Sequence, residues 1–162
     1  MKSFASLLFS TSGDATPLIL RLTLALVFFP HGAQKVLGWF GGGGFEGTME
    51  NLTGVLHIPY AIALLPILTD FLAPFALMAG FLTRLAAFAL AINMAVAVLM
   101  VHLPNGFFMN WDGTQKGEGF EYHILAIGLG LALIVQGAGR WSVDALLATS
   151  SQKPNLILSE LA

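Results

Sequence analysis

Residues 82–103 read LTRLAAFALAINMAVAVLMVHL. One arginine stands near the start, one asparagine in the middle and one histidine near the end, and apart from Thr83 the rest is apolar. A helix needs about 20 mainly apolar residues to cross a bilayer, so this run is long enough to cross one. Three more runs behave alike: 17–37, 59–79 and 122–136. The last reaches spanning length if it extends over 120–138. The spacing therefore predicts an all-α, integral membrane four-helix bundle.

Composition agrees. Of 162 residues, 56% are apolar and 10% charged, against about 25% charged in a soluble domain. Mean hydropathy is +0.79. Four such segments leave too little polar surface to dissolve a buried all-helical protein. Net charge is −2 with no basic cluster, which argues against nucleic acid as a partner. The chain has no cysteine, so disulfides, thiol redox chemistry, iron–sulfur ligation and covalent haem attachment are excluded.

Around the spans, residues 1–15 are expected to be a short interfacial segment. Lys2 precedes only six apolar residues, fewer than the roughly 7–15 of a secretory core. Asp14 or Thr16 is expected to cap the first span, with Pro17 in its first turn. Residues 16–148 form the membrane domain and 149–162 a tail. Cytoplasmic loops are rich in Lys and Arg. With four spans, Lys2, Arg21, Arg84, Arg140 and Lys153 share one side, and Lys35 and Lys116 the other. Both termini are thus expected in the cytoplasm, and the connection around Gly80 makes a tight hairpin there.

Two loops then face outward, 38–58 and 104–119. Phe45, Met49, Leu52 and Leu56 recur at helical spacing and predict a short amphipathic helix in the first. Trp39, Phe40, Phe107, Phe108 and Trp111 lie beside span ends, where an aromatic belt belongs. Ala87, Ala91 and Ala95, with Gly128 and Ala132, are small residues four apart that let helices approach.

Polar residues at membrane depth each need a reason. Asp70 falls near the centre of the second span, with Arg21 and Arg84 as its nearest expected partners. These three make an inner polar network, either a structural lock or a proton path. Arg84 and His102 are eighteen residues apart, on one helical face. Arg21, His31 and Lys35 lie within about 80° of one another. Asn93 points away and serves a neighbouring helix. The outer ends bring together His31, Gln34 and Lys35, then His102, then Glu121 and His123. On a helix the last two point about 200° apart.

Histidine titrates near neutrality and both donates and accepts hydrogen bonds. A quinone headgroup needs donors to its carbonyl oxygens and a proton route, and its tail favours a lipid-accessible cleft. His31, Gln34, Lys35, His102, Glu121 and His123 are therefore the candidate quinone-binding set. Paired histidines holding a b-type haem are the alternative. No spacing supports a metal site, and no catalytic residue is assigned. A non-enzymatic accessory subunit is the reading from another class.

The stretches HGAQKVLGWFGGGGFEGT (31–48), GFLTRLAAFALAINMAVAVLMVH (80–102) and GFF…GFEYHILAIGLGLAL (106–108, 119–133) resemble the DoxX family of small four-helix membrane proteins. Family members usually carry a Glu in the second span, where this chain has the shorter Asp70. The resemblance implies a multi-pass protein of a prokaryotic plasma membrane. It also implies similarity to a subunit of thiosulfate:quinone oxidoreductase, a membrane oxidoreductase component. Electrons would come from a bound substrate or a redox partner protein, and a homo-oligomer is a further possible assembly.

Overall fold

A computed structural model describes residues 8–150 of the chain. The described residues are helical and contain no strand. In chain order the helices are α1 (Thr16–Leu37), α2 (Gly44–Glu50), α3 (Tyr60–Ala79), α4 (Thr83–Ala97), α5 (Glu121–Gln136) and α6 (Val143–Ser150). A π-helical turn, Asn51–Val55, follows α2. Another, Val98–His102, continues α4 into the short 3-10 turn Leu103–Asn105. Residues 1–7 of the segment expected at the interface, and nearly all of the 149–162 tail, fall outside the described residues.

Three helices are long and apolar enough to cross a membrane: α1 with 22 residues, α3 with 20, and α4 with its extension, 23 over Thr83–Asn105. The fourth apolar helix, α5, has 16 residues and stops short of the expected 120–138. Gly137, at φ 78° and ψ −162°, ends it. The next residues are tied to the chain before α1. Gln136 O accepts Ser12 N at 3.1 Å, and Arg140 N donates to Asp14 O at 3.0 Å.

The four long helices close a ring, α1 on α3, α3 on α4, α4 on α5 and α5 back on α1. Leu24 and Phe28, Leu77, Leu90 and Met94, and Leu133 fill its centre. The outward faces are apolar too, with Leu26 77% and Leu125 70% exposed. Apolar surface all round a helix suits lipid, not water.

Two glycines set the spacing of the ring. A Cβ on Gly32 would lie 2.6 Å from Phe71 Cα, so α1 and α3 meet backbone to backbone there. A Cβ on Gly130 would lie 3.2 Å from Ala87 O and 3.5 Å from the Ala91 side chain. The expected partner was Gly128, yet nothing lies within 4 Å of it, and Ala95 is exposed. The inward stripe of α5 is Ala126, Gly130 and Leu133, spaced by four and three, which turns Gly128 outward.

The cap on α1 also differs from expectation. Ala15 is the N-cap, and no side chain bonds the first turn. Thr16 is already helical. Pro17 has no N–H, so one of the donors a cap would satisfy is missing.

At the Gly80 end the helices are tied tightly. Gly80 closes α3 at φ 64°, and Leu82 precedes α4 at φ 49°. The Asp144 carboxylate, on α6, accepts Leu82 N at 2.8 Å and Thr83 N at 3.0 Å. An acceptor at that place satisfies orphan donors of the first turn and complements the helix dipole. The buried Arg21 guanidinium donates to four carbonyls: Leu77 at 2.9 Å, Met78 at 3.2 Å, Trp141 at 3.1 Å and Arg140 at 3.3 Å.

Candidate functional site

The opposite end of the ring is built differently. Because Gly32 admits α3 so closely, Lys35, one turn further along α1, reaches Asp70 and forms an ion pair with its Oδ2. From α4, Asn93 Nδ2 donates to Asp70 Oδ1 at 2.7 Å. One carboxylate, 1% exposed, thus joins three helices. The lysine is a third exposed, so its ammonium keeps access to the space above the pair.

The Asp70–Arg21–Arg84 network expected from sequence does not form. Arg21 serves the carbonyls already described. Arg84 donates to Ile134 O, and to Ser10 O at 3.0 Å. Asp70 stands ten residues before Gly80, about 15 Å along α3, beyond the reach of side chains anchored at that end. Asn93, which the helical arithmetic turned toward a neighbouring helix, donates to Asp70 there.

Above the ion pair lies a cavity of about 380 Å³. Phe28, His31 and Lys35 line it from α1, Asp70 from α3, and Met94, Ala97 and His102 from α4 and its π turn. Tyr122 and His123 line it from α5, and Met109 and Glu118 from the segment between α4 and α5. π turns often mark functional positions, because they break the α-helical register. Here the π turn ends at His102, whose ring packs against that of His123, tilted by 44° with centroids 4.1 Å apart. His102 Nδ1 bonds the Glu118 carbonyl at 2.8 Å. The Tyr122 ring stands beside both His123 (5.4 Å) and His31 (6.5 Å).

Two residues that line the cavity each carry a buried polar atom, Tyr122 Oη and His123 Nδ1, with no hydrogen-bond partner among the described residues. Leaving such a group unsatisfied costs about 1–3 kcal/mol. A ligand with a donor or acceptor would recover that. Among the described residues, no three His, Asp or Glu side chains converge as a metal site.

The segment between α4 and α5 folds back as a cover. Phe107 O accepts both Phe120 N at 3.0 Å and Glu121 N at 2.9 Å. Asn105 Nδ2 donates to Glu118 O at 3.1 Å. Glu121 fastens this cover and does not line the cavity. Its carboxylate accepts Met109 N at 2.9 Å and Trp111 Nε1 at 3.4 Å. Gln34 is likewise outside the cavity: its amide donates to Phe40 O at 3.2 Å, holding the turn that follows α1.

Of the candidates, His31, Lys35, His102 and His123 thus meet at one cavity, joined by Asp70. Tyr122, Glu118 and Met109 were missed. Tyr122 sits between two named candidates, Glu121 and His123. The return of the loop that delivers Glu118 and Met109 has no sequence signature.

The sequence profile of the DoxX family matches residues 16–103, which take in α1 to α4 and most of its extension. An uncharacterized protein of Haemophilus influenzae is 30% identical over 138 residues, covering 80% of this chain and 82% of that one. No solved structure matches.

Proposed function

Because the chain belongs to the DoxX family, we propose that it is the membrane subunit of a redox system and binds a quinone or quinol in this cavity. The four long helices are its spans. Both termini are cytoplasmic, and the His31 end faces outward across a prokaryotic plasma membrane. The α2 helix and the cover lie at the outer interface, where the exposed Trp39, Phe108 and Trp111 suit headgroup depth.

The observation that carries this reading is the convergence of His31, His102, His123 and Tyr122 on a cavity floored by the Lys35–Asp70 pair, with Tyr122 Oη and His123 Nδ1 unpartnered within the protein. A quinone offers carbonyl acceptors and a quinol offers hydroxyl donors. The Tyr122 hydroxyl can donate to the first. Either imidazole tautomer of His123 can serve one form or the other. His31, His102 and His123 line the cavity from three elements, together with Glu118. Electrons come from a reductant or a partner protein of the same system.

The test is a titration of the full-length protein in lipid nanodiscs with a tailless quinone analogue. Saturable binding is expected, weakened about tenfold or more in His102→Ala/His123→Ala, as loss of at least one good hydrogen bond requires. Equal affinity in the wild type and the double variant would overturn the reading.

A further inference from the structure

A second cavity of about 520 Å³ adjoins the headgroup cavity, with Lys35, Met94, Ala97 and His102 lining both. That passage runs beneath the π turn after α2. It in turn shares Ile58, Pro66, Asn93, Val96 and Met100 with a third space of about 650 Å³, an open groove between α3 and α4. Resting on the quinone reading above, we infer that this groove holds the prenyl tail of the same molecule, threaded from the headgroup cavity through the passage.

The path is polar at its headgroup end and through the passage, and turns chiefly apolar in the groove. Lys35 and His102 line both the first cavity and the passage, and the passage adds Thr48, Asn51 and Asn93. Beyond Asn93 the groove walls are chiefly apolar, formed by Ile62 and Leu65 of α3 and by Leu85, Phe88 and Ile92 of α4. Its length suits a long tail. From Met100 to Leu85 it follows fifteen residues of α4, about 22 Å, against a hydrocarbon core about 30 Å thick. Its direction suits one too, since it descends from the outward end toward the Gly80 end as the tails of the outer leaflet do.

Many lipid chains could touch this surface, because lipid is as apolar as the leucines that line it. The tail of a bound quinone differs in being tethered. A headgroup held in the cavity presents its own tail to the groove at high effective concentration. Free acyl chains have no such advantage. The groove therefore adds packing and orientation and little hydrophobic gain, and the decisive readout is where the tail lies.

The experiment places full-length protein in phosphatidylcholine nanodiscs with a long-tailed quinone carrying a diazirine at the tail end. After photolysis the labelled residues are read by peptide mass spectrometry. Label is expected on Leu65, Phe88 and Ile92, and it should disappear when unlabelled long-tailed quinone is added. Ala89→Trp and Ile92→Trp each fill the groove at positions that line neither the headgroup cavity nor the passage. Both should lose the label while binding the tailless analogue as the wild type does. Label spread over all lipid-facing helices, or unmoved by competitor, overturns the tail route, and tailless binding then still upholds the headgroup site. Failure of the wild type to bind even the tailless analogue overturns both.

Discussion

The two ends of the helix ring hold buried charges in opposite ways. At the Gly80 end, Arg21 and Asp144 are matched to backbone groups: four carbonyls for the guanidinium, two amides for the carboxylate. At the His31 end, charge meets charge through Lys35 and Asp70, and a cavity lined by three histidines and Tyr122 opens above. Backbone carbonyls and amides are fixed in number and place, so a side chain bound to them acts as a staple. Charged and polar side chains that converge on a space can meet something that enters it. The first arrangement holds the fold together, and the second is where a ligand belongs.

The hardest break of this contrast is Arg21→Ala. It strands buried carbonyls of α3 and of the turn before α6, each deprived of a charged donor. A loss of about 3–5 kcal/mol is expected from several such groups. Thermal unfolding in detergent should show it as a large fall in Tm. A small fall would mean that the Gly80 end is held by something other than these bonds.

Asp70→Asn comes next, and it tests the other end. The shape is kept and Asn93 retains an acceptor, but Lys35 loses its counter-charge. The lysine side chain is a third exposed and can turn toward the cavity, so the cost should be about 1–3 kcal/mol, below that of a fully buried broken pair. Quinone-analogue binding should fall much further than stability does. Lys35→Met/Asp70→Asn should regain part of the stability, as coupled sites do, without regaining the ligand. Recovery of both would make the pair a mere fastener.

Asp144→Ala should cost less, about 1–2 kcal/mol, the usual range for a lost helix cap. It should leave ligand affinity unchanged, because the cap lies at the far end of α4. The same thermal melt and titration measure it. A weakened ligand would show that the two ends are mechanically linked.

The contrast also explains what could be read in the sequence. Spans α1, α3 and α4 were legible because hydropathy over some twenty residues is a local property. His31, Lys35, His102 and His123 were legible because they lie in the last or first turns of apolar runs that must end at one surface. The partner of Asp70 was not. Matching by sign pointed to Arg21 and Arg84, whereas Gly32 decided the pair by admitting α3 beside α1. A glycine within HGAQK looks like any other until the opposing backbone is known. Glu118 and Met109 depended on the fold of a loop held by Glu121, whose own polar side chain resembled a ligand-binding group. The shorter α5 and the inward Gly130 followed from helix phase and from the Gly137 turn, both tertiary in origin.

The smallest expected effect on stability is also the sharpest probe. Tyr122→Phe removes a hydroxyl that no protein group bonds, so the folded state loses no hydrogen bond and sheds an unsatisfied one. Tm should stay level or rise slightly. His123→Phe removes the unpartnered Nδ1 while keeping a ring against His102, and should likewise be tolerated. A structural role for either polar atom requires the opposite, a destabilisation of about 1–3 kcal/mol. If the cavity is a quinone site, each substitution should weaken the tailless analogue by several-fold to about tenfold, the worth of one net hydrogen bond. Unchanged stability with weakened binding is the signature that separates this end of the molecule from the stapled one, where stability and side-chain chemistry must fall together.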